Sequence, residues 1–380
     1  MTVTIEHRSR ADARFSMDVV WVFLGSAEFR GGTGMAKTDR RKLNRTYILS
    51  YFKELVMSTQ LSEAGRVASH LHPLFLDVDS IGTVALDELY MTFRIALETG
   101  ASSVAVAAPT GTGKSRAIAR LQLSFEQDYR NIPIVIYNTL NLQQPSIRGF
   151  FKHFLYTLGH EKTSGETGDL RERVVNFLVD AARQAGSSTV ILMVDEAQVM
   201  KESDVFFLKD VYNELRQKRV RLLTFMFGEG PKFCNHADGW TTDVKARFVA
   251  HKATLRGMSS LADIERVLDE IDNASFSVGS DQTWTSSLFP RAWQGGFRLH
   301  GQAMPLLESI TKATRGKVSQ FPTREVFAAI RALIRAHWDK DAPDMSIGET
   351  AWPHAVAYAQ VAEAASGLSQ DYERGWNLRV

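Results

Sequence analysis

Four short runs of β-branched and apolar residues alternate with longer helical segments, and this alternation restricts the possible folds more than any other feature of the chain. The runs read SSVAVAA, IPIVIYNTL, STVILMVDEA and VRLLTFMFGEG. Helical periodicity marks the segments between them: KSRAIARLQLSFEQDY, SIRGFFKHFLYTLG, DLRERVVNFLVDAARQAG and SDVFFLKDVYNELRQK. Strands that alternate with helices form a parallel sheet covered on both faces. The pattern therefore predicts an α/β core.

On both sides of this core, helical patterns replace the alternation of strands and helices. LDELYMTFRIALETG before it is an amphipathic helix that Gly100 is placed to end. After about residue 259 the strand pattern stops and helical segments such as TREVFAAIRALIRAHWDK follow. We predict a flexible extension (1–36), a helical N-terminal segment (37–100), the core (101–258), a small helical lid (259–340) and a tail (341–380).

Composition excludes several classes of protein. The 380 residues carry a formal net charge of only +2, so nucleic-acid binding would need a local basic patch. The single cysteine, Cys234, rules out a disulfide framework or a cysteine-based zinc site and reads as a buried thiol. His70 and His72 have no further ligands at metal spacing. The apolar run VVWVFL is far shorter than a membrane helix, and we expect a cytoplasmic protein.

The first predicted strand leads into AAPTGTGKSRA, a loop rich in glycine and threonine. Ala108, Gly113, Lys114 and Ser115 fit the pattern Gly or Ala, four residues, Gly-Lys-Ser/Thr. Such a loop cradles phosphates with backbone N–H groups, its lysine reaches the β- and γ-phosphates, and its hydroxyl binds Mg²⁺. The alternative is a plain turn between a strand and a helix. The predicted nucleotide-binding residues are Ala108, Pro109, Thr110, Gly111, Thr112, Gly113, Lys114, Ser115 and Arg116.

An acidic pair after the third apolar run decides between these alternatives. In VILMVDEAQ, Asp195 and Glu196 follow a predicted buried strand. Carboxyl ends of parallel strands share one edge of the sheet, so Asp195 should lie near the phosphate loop and hold Mg²⁺ together with Ser115. Glu196 is then placed to act as a general base toward water. Loop and acidic pair together predict an ATPase that uses ATP and Mg²⁺.

The order of DEAQ, the helix FLKDVYNELRQK, the strand LLTFMFGEG and the box VKARFVAHKATLRGMSSLADIERVL resembles one family. It is similar to the AAA+ ATPases of the TniB/TnsC group, transposon-encoded regulators that select target DNA and are related to MuB and to ExeA-type ATPases. The resemblance covers about residues 85–335. It implies an AAA+ P-loop NTPase with a parallel sheet core, a helical N-terminal segment and a small C-terminal helical lid.

The resemblance also implies an oligomer, either a ring or a helical filament. Arg247 in KARF corresponds to the arginine that reaches the γ-phosphate of a neighbouring subunit, and a surface arginine is the alternative. Thr224 and Glu229 are both near the position of the polar sensor on the fourth strand. For the second sensor in the lid, Arg298 in GGFRLHGQ is favoured over Arg324 in FPTRE.

DNA contacts are expected after the second strand, where the family faces its DNA channel. Arg148 and Lys152 are the main candidates, followed by Arg171 and its neighbour Arg173. These side chains would neutralise phosphates without reading bases. A solvated helix face is the alternative for each of them. It is also the favoured interpretation of the basic residues between 37 and 45, which could instead follow DNA.

The implied function is that of a regulator that assembles on double-stranded DNA with ATP bound. It would link a target-selector protein to a transposase, and hydrolysis would release the assembly. Two alternatives remain open at this point. One is a signalling or anti-phage defence ATPase in which oligomerisation gates an effector, and the other is an ExeA-like ATPase.

Overall fold

The computed structural model describes residues 72–76, 81–140, 146–276 and 281–376. All of them lie within the compact unit Ala64–Val380. The predicted extension 1–36, the basic run 37–45, His70 and the first part of the predicted helical segment 37–100 lie outside the described residues.

Five parallel strands form one sheet in the order β2-β3-β4-β1-β5. Their bounds are β1 Ser103–Ala108, β2 Ile134–Asn138, β3 Thr189–Asp195, β4 Arg221–Glu229 and β5 His251–Thr254. The α/β class and the parallel sheet are confirmed, and the first four strands fall on the four apolar runs. The sequence missed β5, a short edge strand in which only Ala253 is buried.

Helices connect and cover these strands. The helices before β4 are α1 Pro73–Leu76, α2 Val84–Glu98, α3 Lys114–Asp128, α4 Ile147–Thr157, α5 Thr167–Gln184 and α6 Glu202–Gln217. Those after it are α7 Gly230–Asp238, α8 Thr242–Phe248, α9 Leu261–Asn273, α10 Trp284–Leu288, α11 Pro290–Gln294, α12 Ala303–Ala313, α13 Thr323–His337, α14 Ala351–Tyr358 and α15 Val361–Arg374. Short 3₁₀ turns occupy Ala197–Val199, Leu299–Gln302 and Trp338–Lys340. No helix in the described ranges has both the length and the apolar character that a membrane crossing requires.

The interior strand β1 shows how the sheet is buried. Val104 and Val106 belong to an apolar cluster shared with α2 and α3, whereas Ala105 and Ala107 belong to another shared with α4, α5 and α6. Side chains alternate between the two faces of a strand, so both faces of the sheet are covered. The helices leave the ends of the strands uncovered. The candidate site lies at the carboxyl-terminal ends of the strands.

A third apolar cluster lies among the helices that follow β5. It unites α9, α12 and α13 with Leu74 of α1, Trp352 of α14 and Val361 at the start of α15. The helices beyond residue 340 therefore pack on the same cluster as the predicted lid. The last described residue, Trp376, packs against Phe233 of α7, with ring centres 5.5 Å apart.

Candidate nucleotide-binding site

The phosphate loop joins β1 to α3 and depends on two glycines. Gly111 and Gly113 have φ values of 88° and 86°, in the left-handed region that favours glycine. A Cβ on Gly111 would also lie 3.2 Å from both Glu325 Oε2 and Pro322 Cβ. The chain can therefore turn sharply into α3, whose first residue is Lys114, and backbone N–H groups at this helix start form an anion site.

A cavity of about 330 Å³ opens onto this loop. The predicted residues from Gly111 to Arg116 line it, whereas Ala108 and Pro109 are buried behind the loop and Thr110 is exposed at the turn. The hydroxyl of Thr112 donates a hydrogen bond to the carbonyl of Pro109 at 2.8 Å, which fixes the shape of the loop.

Lys114 meets both predicted acidic residues. Its Nζ lies 2.8 Å from Asp195 Oδ1 and also contacts Glu196 Oε1. The side chains of Lys114 and Asp195 are only 13% and 15% exposed, so this ion pair is shielded from solvent. The structure thus brings together the loop lysine and the acidic pair that the sequence placed at one edge of the sheet.

Glu196 has an unusual backbone. It lies at φ 57° and ψ 38°, a conformation rare for a residue with a side chain, directly after β3. Its N–H donates to Asp195 Oδ1 at 2.8 Å, and its carbonyl accepts from the hydroxyl of Thr139 at 2.8 Å. These bonds support the turn that directs the Glu196 side chain out of the sheet edge.

The carboxylate of Glu196 is held by two neighbours. Besides Lys114, the side-chain amide of Gln198 donates to its Oε2 at 2.5 Å. Burial raises the pKa of Glu196, but the hydrogen bonds and charges of Lys114 and Gln198 outweigh burial and keep the pKa below its ordinary value. Glu196 is therefore ionised at neutral pH, as a general base requires.

The two sensor candidates on β4 differ in their position along the strand, because Thr224 is its fourth residue and Glu229 its last. Thr224 pairs with Ser103 at the start of β1 and is fully buried, which excludes it as a sensor beside the loop. Glu229 pairs with Ala108 at the loop end, but its carboxylate contacts Lys232 at 2.9 Å. Its N–H donates to Gln198 Oε1 at 2.8 Å.

Arg247 lies on α8, near the amino-terminal ends of the strands. The phosphate loop follows their carboxyl-terminal ends. The hydroxyl of Ser102, just before β1, donates to the carbonyl of Ala246 at 3.0 Å. The Arg247 guanidinium donates to the Asp243 carbonyl at 2.6 Å and lies over the Tyr212 ring, 6.0 Å from its centre. β1 spans about 20 Å at ~3.3 Å per residue, so Arg247 does not reach the loop of its own chain.

The sequence favours Arg298 over Arg324 as the second sensor in the lid, but the contacts in the structure favour Arg324. The guanidinium of Arg298 stacks 3.4 Å from the ring centre of Trp293 and donates to the Phe297 carbonyl, and it does not line the nucleotide cavity. Arg324 does line the cavity, and its backbone N–H donates to the Gly111 carbonyl at 3.0 Å. Its side chain pairs with Glu325 and is 67% exposed.

The DNA-contact candidates differ in their surroundings. Arg148 and Lys152 are exposed on α4. Arg171 on α5 forms an ion pair with Glu214 at 2.9 Å, and Arg173 donates to the Ser164 carbonyl at 2.6 Å. The two α5 arginines are thus already engaged within the chain, which favours Arg148 and Lys152.

The loop region fits a nucleotide with a divalent cation. Gly113 has open space where a Cβ would be, and a lysine is held at the loop by carboxylates. Ser115 and Asp195 supply a hydroxyl and a carboxylate, the oxygen ligands that Mg²⁺ prefers in combination with phosphate and water. Within the described residues no cluster of three or more His, Cys, Asp or Glu could enclose a metal by itself. Cys234 is a free and buried thiol, as predicted.

The sheet, the loop and the acidic pair together match the fold of AAA+ P-loop NTPases. Residues 97–229, roughly a third of the chain, match the family model described as "AAA domain". The match and the fold support nucleotide hydrolysis in general. A comparison with curated proteins finds no match.

Several solved structures are similar to this chain at low sequence identity. The ORC2 protein of Aeropyrum pernix, solved as ADPNP and ADP complexes, is 13% identical over 73% of this chain and 67% of that chain, with a TM-score of 0.50. The Aeropyrum pernix ORC1 protein in complex with DNA is 13% identical over 77% and 68%, with a TM-score of 0.45. Domain III of the replication initiation protein DnaA from Thermotoga maritima is 10% identical over 73% and 93%, with a TM-score of 0.41.

Sequence reasoning missed three residues at this site. Gln198 was read only as part of a motif, Thr139 was not singled out, and Arg331 of α13 lines the cavity beside Arg324. A polar residue directly after the second strand is a signal that could have indicated Thr139. The role of Gln198 depends on the register between β3 and β4, which no local pattern gives.

Proposed function

We propose that this protein is an ATPase that assembles on double-stranded DNA with ATP bound and regulates transposition. The observation that carries the ATPase activity is the contact of Lys114 with both Asp195 and Glu196 beside a glycine-rich loop. Bound Mg²⁺ would neutralise phosphate charge, held by Ser115 and Asp195. Lys114 would bind the phosphates, and Glu196, whose side chain is 46% exposed, would take a proton from water.

The cavity beyond the loop suits a base and sugar. Leu74, Ile81, Leu86 and Phe327 give it an apolar side, while Arg324 and Arg331 give it positive charge near the loop. Apolar walls with a few placed polar groups are typical of nucleotide sites. The lid would thus close one side of the bound nucleotide.

Helix α4 supports the DNA part of the proposal. Arg148, Lys152 and Tyr156 recur at every fourth position and are exposed, so they share one face. Phe150 and Phe154 are buried on the other face. No acidic residue lies on this helix, so its outer face is positively charged. Such a face would bind DNA phosphates of any sequence, and repeating it along an oligomer would multiply weak contacts.

The TniB/TnsC resemblance supports the more specific role. In that role the assembled protein connects a target-selector protein to a transposase, and hydrolysis releases the assembly. A transposase gene beside the gene for this protein would support the role independently.

The test is a titration of a labelled random duplex at several salt concentrations, with and without a slowly hydrolysed ATP analogue. We expect tighter binding with the analogue and a steep loss with salt. Lys152→Ala should weaken binding to all sequences and reduce the salt slope by about one per contact. Lys312→Ala, which removes an exposed charge on α12, is the matched control and should bind like wild type.

Two site variants complete the test. Lys114→Ala should bind no ATP and lose the response to the analogue, whereas Glu196→Gln should bind ATP and DNA but not turn ATP over. Absence of DNA binding at low salt with nucleotide present would overturn the transposition role and favour the signalling or defence alternative. Wild-type turnover in Glu196→Gln would overturn the assignment of the base.

A further inference from the structure

We propose that Gln198 is the positioning residue that aims Glu196 during hydrolysis and that it takes the place of a polar side chain at the end of β4. This inference rests on the ATPase activity proposed above. Glu196 is the group that touches the reacting water, and Gln198 acts through it.

The two ends of the Gln198 amide are assigned by their partners. Its Oε1 accepts from the N–H of Glu229 at 2.8 Å, and its Nε2 donates to Glu196 Oε2 at 2.5 Å. A backbone N–H requires an acceptor and a carboxylate requires a donor, so the reversed orientation of the amide would lose both bonds. Gln198 therefore bridges the end of β4 and the carboxylate of Glu196.

The bridge matters because Glu196 has only two side-chain partners among the described contacts. Lys114 holds Oε1, but the phosphate loop directs this lysine at phosphates, so its contact with Glu196 competes with nucleotide binding. The bond from Gln198 does not involve the loop. When a nucleotide draws Lys114 away, Gln198 continues to hold the carboxylate.

The strand order makes the bridge a direct connection to the loop. β4 lies between β3, which carries Glu196 after its last residue, and β1, which leads into the loop. Glu229 pairs with Ala108, the last residue of β1. The Gln198 bond to Glu229 thus fixes the carboxylate relative to the strand that positions the phosphates.

No side chain of β4 supplies this contact in the described structure. Thr224 is buried beside Ser103 at the start of β1, away from the loop, and the Glu229 carboxylate is paired with Lys232 and would repel Glu196. The strand offers the backbone N–H of Glu229 instead. Gln198 accepts from this N–H and donates with its other end to Glu196. A side-chain amide can do so because it accepts at one end and donates at the other.

The test separates the two bonds with Gln198→Glu and Gln198→Met. Gln198→Glu keeps an oxygen that accepts from Glu229 but places a second carboxylate against Glu196, and Gln198→Met keeps the length and loses both bonds. We expect kcat to fall about 10- to 100-fold in both variants, as for loss of a hydrogen bond to a charged group, with the affinity for an ATP analogue unchanged.

Gln320→Ala is the matched control, because Gln320 Oε1 also accepts a backbone N–H, that of Gly257, away from the carboxylates. It should lower the melting temperature and leave kcat at the wild-type value.

The pH profile provides a readout that a merely structural role would not change. In Gln198→Glu, a proton taken up by the introduced carboxyl restores a donor toward Glu196. The activity of this variant relative to wild type should therefore recover as the pH is lowered, whereas that of Gln198→Met should fall, because loss of the Gln198 hydrogen bond raises the pKa of the Glu196 carboxyl. This difference would not arise if Gln198 only stabilised the turn.

The outcomes distinguish this inference from the proposed activity. Wild-type protein that does not hydrolyse ATP would refute the activity itself. Active wild type together with an unchanged kcat in Gln198→Met, or with equal pH profiles for both variants, would overturn the role of Gln198 and leave the ATPase activity standing. A loss of analogue affinity equal to the loss of kcat would also overturn it, because positioning of the base acts after binding.

Discussion

The side chains of Arg324 and Arg298 differ in their contacts. Arg324 lies at the start of α13, where its N–H bonds to the phosphate loop, and its partner Glu325 has a second carboxylate oxygen that is buried without a hydrogen bond. Arg298 is fixed on Trp293. We propose that Arg324 is the lid arginine that contacts a bound nucleotide.

Arg324→Ala should weaken binding of an ATP analogue about 10- to 100-fold, the effect of losing a charge-assisted hydrogen bond to phosphate. Arg298→Ala is the matched control and should bind as wild type does. Isothermal titration calorimetry measures both affinities. Equal affinities of the two variants for the analogue would contradict the prediction that Arg324 alone of the two arginines contacts the nucleotide.

At this scale, the local spacing of residues predicted the loop and the acidic pair, because each is read within a few residues of one strand. The choice between Arg324 and Arg298 depends on how the lid docks on the loop, and the bridge by Gln198 depends on strand order. Both are long-range properties. Sequence periodicity carries no information about them.

Among the elements, the short helix α1 follows a buried histidine, His72, whose ring forms hydrogen bonds to the lid. His72 Nδ1 accepts from the N–H of Leu74 at 3.1 Å, so the proton lies on Nε2, which donates to the Trp284 carbonyl at 3.2 Å. Ser287 contacts the same nitrogen at 3.1 Å. Burial lowers the pKa of His72 to about 4, so the ring is neutral in the folded protein at pH 7.

This pKa predicts an acid dependence of stability. The unfolded chain gains a proton at pH 6.5 and the folded chain only near pH 4, so the free energy of unfolding falls as the pH falls between these values. The loss is on the order of 3 kcal/mol for complete titration. Thermal melts between pH 7 and pH 4.5 should show a smaller acid-induced decrease for His72→Gln than for wild type. His354→Gln, an exposed histidine, should behave like wild type, and equal decreases for all three would contradict the prediction.

Element boundaries followed the sequence where periodicity was strong. The helices α3, α5 and α6 lie within two residues of the predicted segments because each has a continuous apolar face. Strand β5 was missed because an edge strand that buries one residue has no apolar run to detect. Helices α14 and α15 were also missed. The apolar residues of α14 show little helical period, and this helix is recognised only against the cluster that it covers. In α15 the buried residues Val361, Ala365 and Leu368 do recur at helical spacing, a signal that could have indicated this helix.

For the whole molecule, the position of Arg247 supports hydrolysis between subunits. This residue lies at the amino-terminal edge of the sheet, whereas the loop lies at the carboxyl-terminal edge. We propose that this arginine serves a phosphate of a neighbouring copy in a head-to-tail assembly. Asp243 holds the guanidinium with an ion pair of 3.9 Å, weak enough for a stronger anion to replace it.

Arg247→Ala should therefore bind ATP but lose hydrolysis, and mixing it with Lys114→Ala should restore part of the activity. In a hybrid interface, the first variant supplies an intact loop and the second an intact arginine. With equal amounts and random assembly, about a quarter of the interfaces have this combination, which sets the upper limit of rescue. Arg216→Ala, an exposed arginine on α6, is the control and should hydrolyse ATP alone as wild type does. Steady-state turnover over a series of mixing ratios measures the effect. An arginine that acted within its own chain would give no rescue at any ratio, because neither variant then contains a complete site.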